Sequence, residues 1–140
     1  MSRPRKARRL AIQALYQLDA LKGEAPGDVH LRQLLETLSD DDEARREAET
    51  FVRGAWEFCD QADALLAEAS DNWELHRIAA VDRAILRLAV YELKQQTDTA
   101  AGVVINEAIE VAKQFSTAES PRFVNGILDA VCRGLQSSEH

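Results

Sequence analysis

Proline and glycine are scarce in this chain, at 3 and 6 of 140 residues. Ala, Leu, Glu and Arg dominate instead, and that balance favours helices over turn-rich β architectures. No apolar run approaches the ~18 residues of a membrane span. The basic start is not followed by an apolar segment with a small-residue cleavage site, so no secretory signal is expected and the reading is a cytosolic protein. Cys59 and Cys132 are the only cysteines. They lie far apart among apolar residues at helical spacing, as reduced core residues do, and not as disulfide partners do. His30, His76 and His140 share no ligand spacing with one another or with the cysteines, which argues against a zinc site. A phosphate-binding glycine loop, a nucleophile elbow and a His–carboxylate–nucleophile order are all missing. His76 near Asp82 reads as structural, and Glu107 with Glu110 reads as a solvated pair. The expectation is a protein without catalytic activity, cofactor or metal.

Charge is unevenly placed. Arg3, Arg5, Lys6, Arg8 and Arg9 crowd the first nine residues of a chain whose net charge is −7. Residues 10–140 hold the other 12 basic side chains against 24 acidic ones. So acidic a body repels polyanions at long range, and any affinity for nucleic acid must be local to the basic arm and its neighbours. Charge alone favours a solvated, frayed terminus.

The arm runs into a helix. Ala7, Leu10, Ala11, Ala14, Leu15, Leu18 and Leu21 form one apolar stripe. Arg5, Arg9, Ile12, Gln13 and Tyr16 fall on the opposite face. A line of charge, amide, ring and isoleucine reads as a contact surface; the alternative is that another helix covers Ile12 and Tyr16. Residues 23–27, with Pro26, predict a turn, and Leu31, Leu34, Leu35 and Leu38 the inner face of a short second helix. Ser39 and the acidic residues 40–43 open a long third helix, where carboxylates suit the N-terminal dipole. Its apolar register runs through Ala44, Ala48, Phe51, Val52, Ala55, Cys59, Ala62 and Leu66.

Residues 70–72 break the pattern, and a short helical turn is expected around residues 73–78. A strongly apolar helix from about Ala80 to Gln95 should be central. Residues 97–102 connect it to a helix marked by Val104, Ala108, Val111, Ala112 and Phe115. Ser120 as N-cap and Pro121 at the first helical position open the last helix, which Phe123, Val124, Ile127, Leu128, Val131 and Leu135 carry nearly to the end. Asn125 and Gly126 within it cost helix propensity, which points to close helix packing or to a ligand approaching the backbone. The expected class is all-α: one domain of about seven helices in two small bundles, about 1–70 and 71–140.

Four blocks carry a family likeness: residues 8–16 (RRLAIQALY), 73–93 (WELHRIAAVDRAILRLAVYEL), 103–116 (VVINEAIEVAKQFS) and 120–129 (SPRFVNGILD). Together, in this order, they resemble the NusB family of bacterial transcription antitermination factors. Residues 22–70 match only in helical character, and Ser2 and Pro4 interrupt the basic run. The resemblance implies two helical bundles and binding to the boxA element of nascent leader or ribosomal RNA. The RNA would be held jointly with NusE, a small-subunit ribosomal protein, to load further Nus factors onto RNA polymerase and suppress termination. It implies RNA-facing positions at Arg5, Lys6, Arg8, Arg9, Gln13 and Tyr16 in the first helix and at Arg122, Phe123 and Asn125 in the last. It also implies a NusE-facing surface that includes Asp82, where charge reversal should weaken NusE binding and leave the fold intact; the alternative is that Asp82 serves mainly near the start of its own helix, where its loss would lower the melting temperature.

Single-stranded RNA is held by cations on phosphate, rings on bases and amides on base edges, and these residue types fit that task. Phe123 divides evenly between stacking platform and core aromatic, since it is spaced with Ile127. Similar helical domains are fused to ribosomal-RNA cytosine methyltransferases, but that reading needs a cofactor-binding α/β domain these residues do not supply. A protein-only adaptor with an incidental basic arm is the third reading, and it predicts no salt-dependent RNA affinity.

Overall fold

In the computed structural model, residues 3–21, 27–70, 78–95 and 99–138 are described. The turn expected at residues 23–27 and the helical turn expected at 73–78, with Trp73 and His76, lie outside them in all but their last residues. The described residues form seven helices and no strand. They are α1 (Arg3–Leu21), α2 (Asp28–Leu38), α3 (Asp42–Glu57), α4 (Cys59–Ala69), α5 (Ala80–Gln95), α6 (Ala101–Phe115) and α7 (Ser120–Ser138).

The chain divides into two compact units, Met1–Glu57 and Phe58–His140. In the first, α1 lies against α3 and α2. Alanines line both sides of the α1–α3 packing, with Ala7, Ala11 and Ala14 on one helix and Ala44, Ala48 and Ala55 on the other, all buried. Short side chains let two helix backbones approach closely. Leu10, Leu15, Leu18, Leu31, Leu35 and Val52 complete this core, whereas Leu34 and Leu38 are only half-buried.

The start of α3 is built as the acidic run predicts, with the cap one step further on. Asp41, not Ser39, accepts from the Ala44 N–H, at 3.1 Å, while the Ser39 hydroxyl accepts from the Asp41 N–H. Asp42 and Glu43 occupy the first turn.

The long third helix of the sequence reading is two helices. The apolar register continues from α3 into Ala62 and Leu66 of α4, but the backbone leaves the helix at Phe58, where φ is −87° and ψ is 0°. The Phe58 ring is buried beside Tyr91 of α5, with centroids 6.2 Å apart. The change of unit therefore comes ahead of the break in composition at residues 70–72, because α4 packs on α5 and α7.

In the second unit α5 is central, touching α4, α6 and α7. Ile85, Leu86, Leu88, Ala89 and Val90 are buried, as are Val104, Val111, Val124, Leu128 and Val131 from the helices around them. Arg87 of α5 makes two 2.9 Å hydrogen bonds to the Asp63 carboxylate of α4 in a mostly buried setting. Phe115 departs from the stripe assigned to α6. As the last residue of that helix it is exposed, and Ser116 after it is extended.

Candidate nucleic-acid interface

In the first unit, Arg5, Arg9, Gln13 and Tyr16 share one accessible line along α1, at spacings of three and four residues that bring them to one face. Arg5, Arg9 and Gln13 are half-exposed, and the Tyr16 ring is 41% exposed. A phenol ring so open on a helix carrying guanidinium groups about two and three turns away offers a base a stacking partner on the same face as phosphate-binding charge.

Two residues of this surface sit otherwise than the sequence predicts, and a third has a neighbour the sequence does not reveal. Ile12 is 4% exposed, so it belongs to the core; α1 gives up a wider sector to the interior than a single stripe because it meets both α2 and α3. The alternative raised for Ile12 and Tyr16 thus holds for the first and not for the second. Arg8, expected among the RNA-facing cations, is 7% exposed, with its guanidinium 5.6 Å from the centre of the Phe51 ring in α3. Its charge faces a ring quadrupole in the interior of the unit. Lys6 is exposed, and its Nζ lies 3.2 Å from Oδ2 of Asp41, the residue that caps α3. Sequence reasoning missed Asp41 as a neighbour of the arm, since nothing in the spacing of two residues 35 apart reveals it.

In the second unit, Arg122, Phe123 and Asn125 are all exposed in the first turns of α7. Phe123, at 38% exposure, is a surface ring; the burial of Val124 and Ile127 satisfies the core without it. Asn125 lies one turn beyond Arg122 on the same side. A Cβ added at Gly126 would meet nothing within 4 Å. Close helix packing is therefore not what this glycine serves.

Asp82 is not on an open surface. It is 6% exposed, in the first turn of α5. The Ser116 hydroxyl donates to its Oδ1 at 2.7 Å and the Ser120 hydroxyl to its Oδ2 at 3.0 Å. The two serine oxygens are 2.8 Å apart, and Thr117 Oγ1 lies 2.9 Å from that of Ser120. The hydroxyl expected to cap α7 thus donates to a buried carboxylate from another helix. Asp82→Lys would put a cation into a space without solvent and take away the acceptor that both serine hydroxyls use, so it should cost the fold about 2 kcal/mol or more, contrary to the intact fold expected from a surface position. The Ser116 contribution had no signal in the sequence beyond a hydroxyl near a helix end.

Among the described residues, no group of three or more His, Cys, Asp and Glu side chains could hold a metal ion, and no helix is long and apolar enough to cross a membrane. Cys59 and Cys132 are each half-buried, and neither forms a disulfide.

Residues 5–133 match the family model for NusB. The transcription antitermination protein NusB of Symbiobacterium thermophilum is 47% identical over 146 aligned positions, covering 99% of this chain and 94% of that protein. NusB of T. maritima superposes with a TM-score of 0.80 at 38% identity, covering 95% of this chain and 92% of that one. A chain in the crystal structure of the antitermination factors NusB and NusE in complex with dsRNA superposes with a TM-score of 0.80 at 27% identity, covering 96% and 98%.

Proposed function

Because the chain belongs to the NusB family, we propose that it is a transcription antitermination factor that binds boxA-type RNA together with NusE. In this role it promotes processive transcription, notably of ribosomal RNA operons, within an RNA polymerase complex that includes other Nus factors. It acts by binding and not by catalysis, in the cytoplasm, where nascent RNA is made. The observation that carries the reading is the accessible line of Arg5, Arg9, Gln13 and Tyr16 on α1, in a chain that is otherwise acidic. Local cations hold phosphates that the rest of the molecule repels. Solved NusB with NusE and RNA among its structural neighbours supports the same partners.

Each unit contributes a contact surface. In the first, Arg5 and Arg9 take phosphates, Gln13 reads a base edge and Tyr16 stacks on a base. In the second, Arg122 takes a phosphate, Phe123 stacks and Asn125 offers its amide. Arg8 supports α1 from beneath by its contact with Phe51. Lys6 is held in reserve on Asp41. NusE is proposed to meet the surface braced by the Asp82 network. Exposed rings favour unpaired bases, whose faces are open to stacking, over an intact duplex.

The test is a titration of a boxA-type single-stranded oligonucleotide across salt concentrations, with and without NusE and with a duplex of the same sequence as competitor. If all of Arg5, Lys6, Arg8 and Arg9 met phosphate, log affinity would fall against log salt with a slope of about −3. If instead Arg5, Arg9 and Arg122 each take one phosphate, the expected slope is about −2. Replacing Arg5 and Arg9 by alanine should flatten it by one to two units, roughly one per contact. Tyr16→Ala should lose about 1–3 kcal/mol at nearly constant slope. An unchanged slope in the double arginine variant would leave the arm a solvated terminus and favour the protein-only adaptor.

A further inference from the structure

We infer that Asp82 is a positioning residue for RNA: its buried carboxylate, bonded to Ser116 and Ser120, sets the first turn of α7 and so aims Arg122 and Phe123 at the ligand. This deepens the RNA-binding reading and rests on it.

A helix N-terminus begins with unsatisfied N–H groups and frays unless something holds it. At α7 that hold comes from another element. Ser120, itself 2% exposed, donates to Asp82 Oδ2, while Ser116, which closes α6, donates to Oδ1. One carboxylate thus fixes both ends of the connection between α6 and α7. Hydrogen bonds to an ionised acceptor are strong, and burial removes the water that would compete for them. Ser120, Arg122 and Phe123 belong to a single helical turn, so an anchored Ser120 fixes the positions from which the guanidinium and the exposed ring depart. The Phe123 N–H closes this turn on the Glu119 carbonyl at 3.2 Å. A ring that departs from a fixed backbone loses less freedom when a base stacks on it, which is how a residue that never touches RNA raises affinity for it.

A residue with a merely structural role would weaken binding by RNA contacts in either unit alike, and a double-mutant cycle separates the two cases. Phe123→Ala alone should weaken binding of the boxA-type oligonucleotide about five- to a hundredfold. Asp82→Asn, which keeps the volume and one acceptor, should weaken it about two- to tenfold. Combined, they should lose less than the product of the two, since only the share of the Asp82 effect that acts through Arg122 remains, whereas Asp82→Asn combined with Arg9→Ala should show the full product. In the RNA-free protein, amide hydrogen exchange of Phe123 should accelerate in Asp82→Asn while that of Leu128 does not. Should Asp82→Asn fail to fold by circular dichroism, Ser116→Ala removes one hydroxyl and enters the same cycle. Losses that multiply with Phe123→Ala as they do with Arg9→Ala, or unchanged Phe123 exchange, would overturn the positioning role while leaving the RNA reading intact. A silent Phe123→Ala would instead remove the α7 contact, and the positioning role with it.

Discussion

Asp41 does two things with one carboxylate: it caps α3 through the Ala44 N–H, and it holds Lys6 of the basic arm. Its carboxyl titrates below the ordinary aspartate value of 3.8, first because the Ala44 N–H donates to it and then because Lys6 does. With the folded value below the unfolded one, the ionised cap stabilises the fold above pH 3.8, and that contribution is lost as acid titrates through the lower folded value. Asn serves as an N-cap about as well as Asp. Asp41→Asn should therefore leave the melting temperature at pH 7 nearly unchanged. It should also release Lys6 to RNA, raising affinity and steepening the salt slope by about 0.7. Asp41→Ala should release Lys6 equally but lower the melting temperature by a few degrees. Thermal melts beside RNA titrations check both, and an Asp41→Asn protein with unaltered affinity would mean that Lys6 does not reach phosphate.

Among the elements, α7 and α5 show where helical order is spent on something besides the core. Gly126 lies within α7, where alanine would be about 1 kcal/mol more favourable and its Cβ would meet nothing within 4 Å. Gly126→Ala should thus raise stability by about that amount in a denaturant melt. The same variant should bind RNA more weakly, since the methyl group would stand where the ligand approaches the backbone; equal or tighter binding would leave the glycine without that role. On α5, Arg87 is tied to Asp63 by paired hydrogen bonds that solvent hardly reaches. Asp63→Ala removes both of these hydrogen bonds and should cost about 1.5–3 kcal/mol, read as a shift in the urea midpoint at constant slope.

For the whole molecule the decisive quantity is the net charge of −7, with a sequence isoelectric point near 5.0. Proteins whose overall field attracts a polyanion associate faster as salt is lowered. This one carries a local basic surface on an acidic body, so its field does not steer RNA from a distance. Salt should therefore act mainly on dissociation: in stopped-flow measurements the association rate should change little with ionic strength while the dissociation rate climbs. An association rate that rises tenfold on dilution of salt would show that the arm dominates the long-range field.

The helical class, the central place of α5, the acidic start of α3 and the accessible line of Arg5, Arg9, Gln13 and Tyr16 were all legible in the sequence. Each depends on periodicity or capping chemistry within a few residues. The family was legible because its motifs are contiguous blocks. What tertiary structure alone decided concerns residues whose fate depends on distant partners. Ile12 and Arg8 turn inward because α1 has neighbours beyond a single stripe, and Arg8 finds Phe51 there. Phe115 and Phe123 turn outward because neighbouring residues already complete the core. Phe58 breaks a register that continues through it because its ring packs beside Tyr91. Asp82 meets Ser116 and Ser120, and Lys6 meets Asp41, across more than thirty residues of chain. A one-dimensional pattern reports which face of a helix is apolar; which polar group waits on the other side is settled only when the helices pack.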